Sequence, residues 1–450
     1  MDSFEKVKKQ KISQNSSSKS LLDLNDDCLE KIFSNFTILE LIDLENVCLR
    51  FRSIAECFYK KQDLLKINIE HHSKEHIGDL AKRLGPHVCK LDVTGWKKKM
   101  NVFDFFPKVD DEPAFIDLET FKPLWLHCTN LKLLIVQNVD LRDHLPLMQE
   151  LFKGLKVALL ISCRLTDEIG EYLKTADELY DLSLEGNPEI RGTFLPDLKD
   201  QLEELDLRRC VNIFQGSTFG QFCQNNLELE TLCLTLPSKR PDSIMKHLDE
   251  LKNLESLEMI YNAMALPSQI VPIFPKLKHL ALIANIDMIY GHKSPMNGFL
   301  DSVATTDTVE DLRIDGSVDF DFEQILPKFT KLQRFEVSMV LNDFEESHLL
   351  AINMESRRTL EHLEISKTDE VTEKGLLEFV KDCPKLKYLN IRLNDNITND
   401  FVYGLLPFLE DRPQCLKICC NSTSITEDME EVVELRGNGK IELNWNLLNN

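Results

Sequence analysis

The sequence predicts an α/β solenoid: a long parallel sheet with one short strand per repeat and a helix or loop returning between strands. Three observations carry that expectation. A pattern L-x-x-L-x-L recurs along most of the 450 residues. Its copies fall close to 25 residues apart. The stretches between them carry apolar residues at helical spacing.

The clearest copies are LYDLSLEGNPEI from Leu179, which continues to Asn at the ninth position, and LEELDLRRCVNI from Leu202, which continues to Cys. Weaker copies start at Leu229, Leu254, Leu277, Val309, Leu332, Leu360 and Leu386, and towards the ends at Cys415, Leu155, Leu131, Val88 and Leu64. From 64 the intervals are 24, 43, 24, 24, 23, 27, 25, 23, 32, 23, 28, 26 and 29, and a half-copy, IELNW, follows at 441–445. One such unit cannot bury three apolar strand positions by itself; stacked units share a core. DEIGEYLKTA (167–176) and TEKGLLEFVKDC (372–383) read as outer helices.

Cys128 and Cys383 stand three residues before the first Leu of their copies, and a Leu/Ile-Thr pair precedes helical stretches at 163–173, 394–406 and 422–435. Thr there can cap the helix. The chain from 64 to 445 resembles the cysteine-containing class of leucine-rich repeats, which implies a horseshoe with its sheet on the inner curve. The intervals of 43 and 32 imply insertions near 95–121 and 287–305, the first bearing Phe103, Phe105, Phe106 and Phe115.

Charge narrows the function classes. With 53 basic and 75 acidic residues the net charge is −22, which disfavours nucleic acid and membrane surfaces as partners and favours basic proteins. Residues 1–20 are the exception, with Lys6, Lys8, Lys9, Lys11 and Lys19 and few apolar side chains; a disordered basic tail is expected. No apolar segment follows Met1 and no run is long enough to span a bilayer, so a cytoplasmic or nuclear protein is expected. The thirteen Cys then read as reduced thiols, and the lack of any C-x-x-C argues against structural zinc.

Residues 21–60 differ from the repeats. Cys28, Leu29, Ile32, Phe33 and Phe36 form one stripe, whereas the apolar residues of 38–55, wound as a helix, cover more than one face. So short a segment rarely folds unaided, and it needs cover from the first repeat and from a partner. Leu24, Leu29, Ile32, Phe33, Phe36, Leu41, Val47, Cys48 and Phe51, with Arg50 and Arg52 flanking the last, resemble an F-box. Asn25 occupies the usual Pro position and can still cap a helix; Phe51 stands where Trp is common. The resemblance implies docking on a Skp-type adaptor, and through it a cullin–RING ubiquitin ligase, with these nine residues and Asn25 as contacts. A target protein would lie on the repeats.

On the inner curve the residues between the apolar positions face outward. They include Asp181, Glu185, Glu204, Asp206, Arg208, Asp311, Arg313, Arg334, Tyr388 and Arg392 as candidate target contacts. Asp181, Glu185, Glu204 and Asp206 cluster beside an apolar set, Leu133, Ile135, Val157, Leu159 and Ile161. A target with a hydrophobic anchor and a basic segment would suit that face; the equal alternative is that the acids keep the face soluble and the 95–121 insertion covers the apolar set. Two other readings compete: an acidic scaffold or inhibitor that wraps a basic protein, and a hydrolase built on His72, Glu75 and His76. The last has the H-x-x-E-H spacing of an inverted zinc-protease motif but sits in an inter-strand connection. No catalytic residue, metal or cofactor is expected.

Overall fold

The computed structural model describes residues 21–95, 117–198, 202–213, 218–237, 242–261, 273–284, 296–316, 320–338, 344–368, 370–409 and 412–445. The basic tail, Phe103, Phe105, Phe106 and Phe115 lie outside them, as do most of the expected insertions. Those insertions are narrower than expected at their C-terminal ends. Residues 118–121 belong to a helix, Leu118–His127, and 297–305 to another, Asn297–Thr306.

Every repeat copy becomes a strand. They are Leu64–Asn68 (β1), Lys90–Thr94 (β2), Leu133–Gln137 (β3), Val157–Ile161 (β4), Asp181–Ser183 (β5), Glu204–Leu207 (β6), Thr231–Thr235 (β7) and Ser256–Tyr261 (β8). His279–Ala284 (β9), Asp311–Asp315 (β10), Arg334–Ser338 (β11), His362–Ser366 (β12), Tyr388–Asn390 (β13), Leu416–Cys419 (β14) and Ile441–Asn444 (β15) complete the set. All fifteen pair in sequence order in a single sheet, and each ladder is parallel, β1 with β2 through to β14 with β15. This is the architecture of a repeat solenoid, with one face of the sheet packed on the returning helices and the other open.

The register corrects one detail. Leu64 pairs with Lys90, so Leu65 and Ile67 are the buried pair, and the first copy is framed from Gln62 rather than Leu64.

Where the ninth repeat position is Asn or Cys, among the described residues, it closes its unit. Asn187 is fully buried; its amide donates to Leu160 O and Leu184 O at 2.8 Å, and its Oδ1 accepts from Cys163 N at 2.9 Å and Leu165 N at 3.0 Å. Asn394 repeats the arrangement on Ile365 and Ile391. Where Cys takes the place, as at Cys163 and Cys210, its thiol reaches the preceding repeat's carbonyl, Val136 O at 3.3 Å and Leu184 O at 3.1 Å. Buried backbone carbonyls beyond a strand end need such donors. Cys128 and Cys383 are also buried, and burial pushes each thiol up to about 12; they are packing residues, not nucleophiles.

Of the three expected Thr caps one holds: Thr398 caps Asn399–Leu405. Thr372, which was not among them, caps Glu373–Lys381. Ahead of Ile169–Leu173 and Met429–Arg436, however, Thr166 and Thr426 stand two residues before the N-cap, because the chain first makes a turn there.

Residues 21–60 fold as three helices, Asp26–Phe33 (α1), Ile38–Glu45 (α2) and Leu49–Tyr59 (α3). The break between Glu45 and Leu49 explains why the apolar set of 38–55 did not fit one helical face. Asn25 caps α1 by accepting from Cys28 N at 3.0 Å. Thr37 and Glu40 form a capping box on α2. Cys48 is the N-cap of α3.

Candidate functional site

Two surfaces stand out, the free side of the three-helix module and the open face of the sheet. The module is held together by Leu29, Phe33, Leu41 and Phe51, all buried; Phe33 and Phe51 meet edge to face at 5.1 Å. These four of the ten expected adaptor contacts are therefore packing residues in the free chain.

Its other side is fixed to the first repeat. Glu45 is buried, receiving Arg83 Nε at 2.7 Å and the Tyr59 hydroxyl at 3.1 Å. Arg83 lies on the next helix, Lys74–Leu84 (α4). Burial and the Glu45 carboxylate push the Tyr59 phenol well above its usual range. A buried carboxylate needs such partners, so the clamp sets how the module meets the solenoid.

Several large apolar residues of the module stay open to solvent. Val47 is 63% exposed and Leu49 76%, and Leu21, Leu22, Leu24 and Phe36 are exposed beside half-buried Ile32 and Cys48. Arg50 gathers part of this surface. Its guanidinium donates to Leu22 O at 2.7 Å and Leu24 O at 2.5 Å and bonds Asp26 at 2.8 Å, which holds the segment 22–26 against the start of α3. Leu21, Leu22 and Leu49 were not among the expected contacts. Their signal, large apolar residues flanking helix starts, was in the sequence, but exposure was not.

The open face bears the expected target contacts, and they divide into two groups. Across β10–β13 most of the charges are closely paired; Asp311 is the exception, raised by burial although Arg334 lies 4.0 Å away. Arg313 meets Asp315 at 3.1 Å and Glu336 at 3.8 Å, Arg334 Nε meets Glu336 at 2.6 Å, and Arg392 meets Glu364 at 3.2 Å. His362 stacks on Tyr388, rings 4.4 Å apart, with Nε2 3.2 Å from Glu336. Burial alone would raise Glu336, but His362 and Arg334 outweigh it and hold the carboxyl down at about 2. Glu336, His362 and Glu364 place one ligand atom each within 4.8 Å. Arg334, Arg392 and Ser366 already occupy those carboxylates, so the group is a charge network and does not call for a cation.

A second network centres on Arg208, which bonds Asp206 at 2.7 Å, Glu258 at 3.1 Å and Glu185 at 3.3 Å. Glu258 went unnoticed in the sequence although the copy at Leu254 gives it the same face position as Asp206.

Asp181 and Glu204 are different. They face each other in register on β5 and β6, and neither meets a cation among the described residues. Burial, then Glu204, then Asp206 raise the Asp181 carboxyl to about 6. Beside them Leu133, Ile135, Val157, Leu159 and Ile161 are half-exposed, while alternate residues Leu134, Val136, Ala158 and Leu160 are fully buried.

The H-x-x-E-H segment forms no metal helix. His72 lies in a turn with Nδ1 2.9 Å from Asn68 O, whereas Ser73 caps α4 and puts Glu75 and His76 in its first turn. The two His are thus not on one helix.

No family model and no curated protein matches the chain. Among solved structures it resembles a chain in the crystal structure of the Rad7 and Elc1 complex in yeast, at 14% identity over 94% of this chain and 91% of that one, with a TM-score of 0.45. No helix among the described residues is long and apolar enough to cross a membrane.

Proposed function

We propose that this chain is the target-recognition subunit of a Skp–cullin–F-box ubiquitin ligase, a non-catalytic receptor in the cytoplasm or nucleus. Residues 21–60 would be an F-box docking on a Skp-type adaptor, 61–450 a leucine-rich-repeat unit presenting the target, and 1–20 a basic tail. The supporting observation is the module itself: it is capped, internally packed and clamped by Glu45, yet leaves Leu21, Leu22, Leu24, Phe36, Val47 and Leu49 uncovered. Clustered apolar side chains of that size mark an interaction surface. Function then comes from positioning, because holding a target beside a ligase raises its effective concentration without chemistry by this chain.

Co-purification with a Skp-type adaptor tests the reading. Val47→Asp with Leu49→Asp should abolish adaptor binding and leave the thermal midpoint within a few degrees, since both residues are exposed. Adaptor recovered at wild-type yield with that variant overturns the docking surface. A wild-type chain that captures its target but never the adaptor would instead be an acidic scaffold or inhibitor.

A further inference from the structure

We propose that the sheet face across β3–β6 is a docking surface for a protein segment with an aliphatic or aromatic anchor and a Lys or Arg two to three residues away. This deepens the receptor reading by naming the target's chemistry; capture itself does not depend on that reading, only the fate of the captured target does.

The register lays the surface out in rows. One row runs Lys90, Leu133, Val157, Asp181, Glu204; the next runs Asp92, Ile135, Leu159, Ser183, Asp206. Apolar side chains on two strands therefore abut acids on the next two. Strands lie about 4.8 Å apart, so the acids begin roughly 7 Å from the middle of the apolar patch. Two to three residues of extended chain with a long basic side chain cover that span.

Three features make this a surface awaiting a cation. The nearby acids Asp92, Asp206 and Glu185 each hold Lys or Arg, but among the described residues Asp181 and Glu204 do not. The nearest lysines along the chain turn away: Lys132 and Lys156 both reach Glu178, and Lys90 reaches Asp63 at 3.0 Å. Carboxylates directly opposite on neighbouring strands repel; Asp181 is raised first by burial and then by Glu204 and Asp206. A basic residue above the pair relieves the repulsion, while its neighbouring anchor covers Leu133, Ile135, Val157 and Leu159.

The test uses the full chain, at low ionic strength, with fluorescently labelled octapeptides. The first probe has a Leu-Phe anchor and two lysines three residues away; a second has glutamates for the lysines, and a third serines for the anchor. Anisotropy should show the first binding about tenfold tighter than either other, with the advantage shrinking as salt rises. Asp181→Asn with Glu204→Gln should erase the preference for lysine over glutamate, and Leu159→Ser should weaken the first probe to the level of the serine probe. Both variants exchange face residues, and cooperative melting with midpoints no more than a few degrees below wild type establishes that they fold. Equal binding of the lysine and glutamate probes, or a lysine probe indifferent to both variants, overturns the proposal. So does a dimer by light scattering that Leu159→Ser dissolves, which would assign the patch to a second copy. Adaptor co-purification is read separately, so failure here is distinguishable from failure of the receptor reading.

Discussion

The two halves of the open face solve the same electrostatic problem in opposite ways. Across β10–β13 the acids are half- or fully buried and, Asp311 apart, each holds a cation closely: Asp315 has Arg313, Glu336 has Arg334 and Glu364 has Arg392. Across β5–β6 Asp181 and Glu204 stand in register with none among the described residues. Glu336 is held down at about 2 and Asp181 is pushed up to about 6. The same residue class therefore stabilises one region and strains the other. A region that keeps strain when a neutral side chain would fit is where a partner is to be sought.

The largest expected effect separates the shared core from both faces. Leu160→Ala removes a fully buried side chain and should cost about 3 kcal/mol in chemical denaturation, whereas Leu159→Ala, one residue along on the open face, should cost less than about 1 kcal/mol. Similar losses at both sites would break the alternation on which the face assignment depends.

Next comes the paired half. Glu336→Ala leaves Arg334, Arg313 and His362 without their shared carboxylate and should cost about 2–3 kcal/mol at neutral pH. The folded-state carboxyl lies at about 2, below its usual 4.5. Its contribution is thus complete above pH ~4.5 and lost as pH falls towards 2. Variant and wild type should converge in stability at the acid end of that window; a constant gap would show that packing, not charge, was removed.

The unpaired half should respond with the reverse sign and a smaller size. Asp181→Asn should stabilise the fold by on the order of 1 kcal/mol at pH 7, after allowance for partial exposure. The folded carboxyl lies near 6 and the ordinary value is 3.8, so the cost of ionising it grows as pH rises from about 4 to 6 and is absent below that. No gain at pH 7 would mean that a cation already neutralises the pair.

The smallest expected effect is at a helix end. Thr398→Ala removes the cap on Asn399–Leu405 and should cost about 1 kcal/mol. The same change at Thr166, which stands ahead of its N-cap rather than at it, should cost less.

By itself the sequence determined what depends on neighbours along the chain. All fifteen strands were legible because each is announced by apolar residues two and three positions apart, and the Asn25 cap because a cap bonds within its own first turn. The frame slipped only at Leu64, where consecutive Leu residues satisfy the pattern in more than one register. The apolar run of 38–55 was legible as a segment with too much to bury, but not as two helices, because Cys48 is a weak cap in sequence terms and acts as one here. Tertiary structure alone decided which acids are paired and which apolar side chains are free. Arg208 reaches Glu258 fifty positions on, and Arg83 reaches Glu45 across thirty-eight. Such meetings depend on the length of every intervening repeat and on how the module sits on the first of them. In a sheet whose strands each carry charges on one face, a one-residue change in any repeat would exchange partners. That Asp181 and Glu204 meet no cation among the described residues, like the exposure of Val47 and Leu49, is therefore a property of the assembled register and not of local composition.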